Sequence, residues 1–114
     1  MGVHHAVRAR FCVARGRFWQ AQYWIAEVRN EALSLACLRR GLEVRQGRGY
    51  DELPAEALAP FAETLVRSLD PKELLRALGH AVDALLREAD RARDLATKVE
   101  GHLRHLMSPS FLEV

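Results

Sequence analysis

Residues 18–40 constrain this chain more than any other stretch, because their apolar members do not keep to one side of a helix. Trp19, Tyr23, Ala26, Asn30, Leu33 and Cys37 follow one helical stripe, while Ile25, Val28, Ala32, Leu35 and Leu38 fill another. A helix with apolar contact on more than one side needs neighbours on more than one side, so it belongs at the centre of a bundle. Arg39 and Arg40 complement the negative end of its dipole, and Gly41 is placed to close it. Glu27, Arg29, Asn30 and Glu31 interrupt the stretch and exclude a membrane span.

The remaining segments also read as helices, with no alternating β-branched run of strand length. Residues 3–14 form a first helix that stops near Gly16, with Arg8, Arg10 and Arg15 toward solvent. Residues 42–53 read as a turn-rich connection in which Gly47 and Gly49 flank Arg48. Pro54 suits the first turn of a short helix, and Pro60 interrupts it or begins another carrying Phe61, Leu65 and Val66. Asp70-Pro71-Lys72-Glu73 is the clearest local signal: a cap acceptor, a proline at the first helical position, and a glutamate able to reach back to the cap.

Beyond that cap, Leu75, Leu78, Val82, Leu85, Ala89, Ala92, Ala96, Val99, Leu103 and Leu106 alternate three and four apart. One helix, or two with a break near Gly79 or Gly101, carries this seam, whose Ala-rich middle allows close approach of a neighbour. The expected fold is all-α, an up-and-down helical bundle with a long central helix. Residues 1–107 form a single domain and residues 108–114 a C-terminal tail.

With 114 residues, 49% of them hydrophobic, one domain can enclose a real core. The formal net charge of +2 gives no overall field to recruit nucleic acid or an anionic membrane. Of the 17 basic residues only Lys72 and Lys98 are lysines, a bias that fits a GC-rich coding sequence as readily as a need for bidentate anion contacts. Cys12 and Cys37 match no metal-ligand spacing and read as small core residues in a reducing compartment, which makes the cytoplasm the default location. His4, His5, His80, His102 and His105 fall in no metal or catalytic motif, so no catalytic residue and no metal ligand is assigned.

Candidate function therefore rests on polar residues of the central helix. Gln20, Tyr23, Glu27, Asn30, Glu31 and Ser34 lie on or beside a common stripe, and polar groups on so apolar a helix need partners if buried. The competing reading makes Glu27 and Glu31 a solvated edge and gives Asn30 and Ser34 local hydrogen bonds. Tyr23, Glu27, Arg29, Asn30 and Ser34 are taken as the substrate-binding set. Phe18, Trp19, Tyr23 and Trp24 read as core or interface rather than as a box for stacking a ligand.

The run Gly16-Arg17-Phe18-Trp19-Gln20-Ala21-Gln22-Tyr23-Trp24-Ile25, continuing through Arg29, Leu33 and Leu35-Ala36-Cys37-Leu38-Arg39-Arg40-Gly41-Leu42, resembles the helical C-terminal domain of bacterial nucleotidyltransferases. Gly47-Arg48-Gly49-Tyr50-Asp51-Glu52-Leu53-Pro54 and Leu65-Val66-Arg67-Ser68-Leu69-Asp70 are similar to the same domain, which is related to the kanamycin nucleotidyltransferase C-terminal and HEPN group. In that family a polymerase-β-like domain holds the nucleotide and the metal-binding carboxylates, and the helical bundle positions the acceptor. The catalytic signature, a Gly-Ser turn followed by Asp-x-Asp, is absent from this sequence. The resemblance implies an accessory, substrate-binding domain whose partner is a nucleotidyltransferase catalytic domain in cis or in trans. It places nucleotide and Mg on that domain, with no cofactor in this chain.

Two other readings stay open. An HEPN-like ribonuclease or toxin–antitoxin component would use an Arg-x-x-x-x-His motif; Arg29-Asn30 is similar to its opening, but Ser34 stands where the histidine should be. A helical module that forms a homodimer through the 75–106 seam is the third. No membrane partner is expected, and nucleic acid is not favoured.

Overall fold

The structure is a computed structural model that describes residues 2–106; the tail assigned to residues 108–114 lies outside them. It is all-α, as expected. Four α-helices follow in order, α1 (Gly2–Ala14), α2 (Phe18–Arg39), α3 (Ala55–Leu58) and α4 (Pro71–Leu106), with short 3₁₀ turns at Arg45–Gly47, Tyr50–Glu52 and Ala59–Thr64. No described helix is long and apolar enough to cross a membrane.

α1 and α2 form a tight antiparallel pair. The amide of Arg17 donates to the Cys12 carbonyl and that of Gly16 to Val13, and the same pair of bonds closes α2, from Leu42 to Cys37 and from Gly41 to Leu38. This closure needs a left-handed residue just past the helix end, and Gly41 supplies it at φ +70°. Gly2, at the start of α1, lies against Leu85 and Glu31, while Ala9, Cys12 and Val13 near its end share a core with Ala21 and Ile25.

α2 is the central helix. One core joins its Ala21, Ile25 and Val28 to α1 and to Leu74, Ala77, Leu78 and Ala81 of α4. A second joins Ala32, Leu33, Ala36 and Cys37 to Leu53, Phe61 and Ala84. Successive α2 residues thus meet successive α4 residues, so the two helices run side by side in the same direction. The segment from 40 to 70 is the crossover that makes this possible. Its last turn is held by three consecutive carbonyls: Arg29 of α2 donates to Thr64 at 3.2 Å, and Arg76 of α4 donates to Glu63 at 2.9 Å and to Leu65 at 3.1 Å.

Pro54 caps the single-turn α3, and Pro60 opens the 3₁₀ segment. Phe61 is buried, but the helical conformation stops before Leu65, which is extended and half exposed. α4 is one continuous helix through both Gly79 and Gly101. At its start the Asp70 carboxylate accepts from the Lys72 amide at 2.8 Å, as the cap signal predicts. The reciprocal arm expected of Glu73 does not form. Glu73 instead accepts from the Arg67 amide at 2.9 Å and from Arg76 at 2.6 Å, and the Arg76 hydrogen bond, aided by the Arg67 amide, holds its carboxyl down at about 2.

The buried face of α4 differs from the three-four seam in its first half. Leu74, Ala77, Leu78, Ala81, Ala84 and Glu88 are buried, and Leu75 faces water, because α1, α2 and the 59–64 turn together surround a broader arc than a two-helix seam would. Past Glu88 only the end of α2 flanks the helix, at Leu35, Leu38 and Arg39, and beyond that α4 runs on with no other described element beside it. Extents of 65 × 27 × 21 Å and a radius of gyration of 18.0 Å follow, against about 13 Å for a compact chain of this size.

Candidate functional site

One face of α2 is left uncovered by α1 and α4. Residues three and four apart share a helix face, so Trp19, Tyr23, Glu27, Asn30 and Ser34 form a single row along it. Trp19 is 77% and Tyr23 56% exposed, and the Tyr23 ring meets Trp24 edge-on at 5.0 Å. The aromatic residues read as core thus divide: Phe18 and Trp24 are partly buried against the core, whereas Trp19 and Tyr23 project into solvent.

Farther along the row, the crossover folds back onto α2. The Tyr50 hydroxyl lies 3.1 Å from the Asn30 carbonyl and 3.1 Å from Ser34 Oγ. A phenol has one proton, so Tyr50 donates to Asn30 and accepts from Ser34. Gly49 makes the approach feasible, since a β-carbon there would overlap the Glu43 carbonyl oxygen. The result is an open cleft of about 490 Å³ lined by Asn30, Val44, Gln46, Gly47, Tyr50 and Asp51. Its amides, carboxylate and backbone can orient a polar ligand by hydrogen bonds. Among the described residues no group of three or more His, Cys, Asp and Glu gathers as a metal site.

Of the five substrate-binding candidates, Asn30 lines this cleft, Ser34 supports it through Tyr50, and Tyr23 and Glu27 continue the row toward Trp19. Glu27 is partly buried and makes no ion pair among the described residues. Arg29 does not join them. It projects roughly a third of a turn away, where burial pulls its guanidinium down from the ordinary arginine range and its hydrogen bond holds the Thr64 carbonyl. The crossover residues Tyr50, Asp51 and Gln46 were hidden in a stretch whose composition reads only as turns; the signal available was the lone tyrosine among glycines and charges.

Glu31 also leaves the row. It faces α1, with Oε2 3.8 Å from Nδ1 of His5, whose ring stacks on Trp24 at 5.2 Å. The scattered arginines separate likewise. Arg8, Arg15 and Arg17 border a cleft of about 400 Å³ with Phe11, Gln20 and Trp24, whereas Arg39 pairs with the buried Glu88 and Arg45 and Arg48 lie on the crossover. Cys12 and Cys37 are buried, and burial pushes the Cys37 thiol up.

No protein-family pattern, curated protein or solved structure matches the chain.

Proposed function

We propose that this chain is an accessory, substrate-binding helical domain of a nucleotidyltransferase system and that it does not catalyse transfer alone. The observation that carries the reading is the uncovered row on α2, where exposed Trp19 and Tyr23 lead into the Asn30–Tyr50–Asp51 cleft. Exposed tryptophan and tyrosine are the residues that most often anchor a protein partner, and the neighbouring cleft offers hydrogen-bonding groups to an acceptor. The resemblance of residues 16–25 and of 47–54 to the nucleotidyltransferase C-terminal domain falls on these two parts of the surface. Nucleotide and Mg would be held by the catalytic domain.

The test is nucleotide transfer with and without a polymerase-β-like catalytic domain encoded in frame or beside this chain. Transfer is expected only with both present, with Trp19→Ala weakening their association and Asn30→Ala or Asp51→Asn raising KM for the acceptor. Transfer by this chain alone would overturn the reading, as would RNA cleavage that disappears in Arg29→Ala.

A further inference from the structure

Past Glu88, α4 carries an apolar face that no other described element covers. Leu35 and Leu38 of α2, with Ala92, Leu95, Ala96, Val99 and Leu103 of α4, line an open groove of about 520 Å³ whose walls are almost wholly apolar. Leu38 is 60% and Leu103 58% exposed. We propose that the occupant of this groove is the α4 tail of a second copy, packed antiparallel so that Ala96 faces the second copy's Val99.

Three features select that occupant and that register. The first is size. With Ala96 opposite Val99, the seam positions pair Ala92 with Leu103 and Ala89 with Leu106, and symmetry repeats each layer on the other side. Every layer sets a small residue against a large one, as close antiparallel packing of helices requires. A parallel pair in register would instead set alanine on alanine at 89, 92 and 96.

The second is charge. Arg93 and Glu100 flank the seam on one side at equivalent positions, where an antiparallel partner presents the same positions in reverse order. In this register each Arg93 meets the second copy's Glu100. Sliding by one heptad sets Arg93 on Arg93 or Glu100 on Glu100. On the other flank, Leu95 meets His102. Arg93 and Glu100 are exposed and paired only along their own helix, with Asp90 and Arg104, so both remain accessible to a partner.

The third is length. α2 covers this face of α4 as far as Glu88, which Arg39 holds at the end of α2. A second α4 in this register brings Leu106 to Ala89, beside the end of α2, without displacing it. A parallel copy would run into α2.

Sedimentation of the full chain tests the proposal, and it stands apart from the nucleotidyltransferase reading because transfer is not measured. The parent is expected to be a dimer. Arg93→Glu and Glu100→Arg should each weaken association by roughly tenfold or more while leaving helical content unchanged. The doubly reversed chain should regain it, and the two singly reversed chains should associate when mixed, since both pairs are then attractive. Leu103→Lys should give a folded monomer. A parent that stays monomeric at high concentration overturns the proposal; so does a dimer indifferent to these reversals, or singly reversed chains that fail to pair on mixing.

Discussion

The two halves of α4 are built from similar residues and meet opposite fates. In its first half Leu74, Ala77, Leu78, Ala81 and Ala84 are enclosed by α1, α2 and the 59–64 turn. Between Ala92 and Leu106 residues of the same kinds face solvent. The difference is neighbours, not composition: α2 ends at Arg39, and past it no other described element flanks α4. An amphipathic pattern thus records which face expects a partner, without saying whether the partner is in the same chain.

Truncations separate the halves most sharply. Ile25→Ala or Leu74→Ala, both at fully buried positions, should cost roughly 2–5 kcal/mol in urea unfolding. Leu103→Ala in the half-exposed tail should change the stability of the monomer by less than about 0.5 kcal/mol. Equal losses would mean that the tail belongs to the cooperative core.

The boundary between the halves is the next place to press. Glu88 is 3% exposed and accepts hydrogen bonds from Arg39 at 3.4 Å and Arg91 at 3.1 Å. Replacing Arg39 with Met should cost about 1–3 kcal/mol by leaving the buried carboxylate half-satisfied. If calorimetry finds no loss, Glu88 is not the anchor of the α2 terminus. At the other end of α4, Asp70→Ala removes the acceptor for the Lys72 amide and should cost about 1 kcal/mol in the same measurement.

Acid should act more gently, and on the enclosed half. The Glu73 carboxyl is held down at about 2 from an ordinary value near 4.5, so the unfolded chain takes up its proton first. Its contribution is complete above the unfolded value and declines as pH falls from about 4.5 toward 2. Glu73→Gln should flatten the melting-temperature profile in that window, whereas an unchanged slope would assign the acid response to other carboxylates.

Much of this fold was legible in the sequence. Residues 18–40 announced a central helix because stripes on two sides cannot both face water, and Gly41 and Asp70 marked ends through local backbone chemistry. The face of α4 was read less well: a strict three-four seam assumes one neighbour, and Leu75 is outside because there are three. The candidate cleft was legible on one wall only. Asn30 and Ser34 could be placed by helical spacing, but Tyr50 meets them through a crossover whose path depends on pairing across the chain. Arg29 shows the converse, since spacing alone does not reveal that a backbone carbonyl thirty-five residues away claims its guanidinium.

That arginine also bears on the order in which the chain assembles. The α1–α2 pair joins neighbours in sequence and can form early, whereas α4 reaches α2 only after the crossover is laid down. Arg29 and Arg76 grip adjacent carbonyls of the same turn from two different helices, so their joint hold is complete only when both helices are in place. Such a fastening acts late: loosening it should hasten unfolding while leaving the folding rate nearly unchanged, making the 63–65 turn a latch on lifetime more than a guide to assembly.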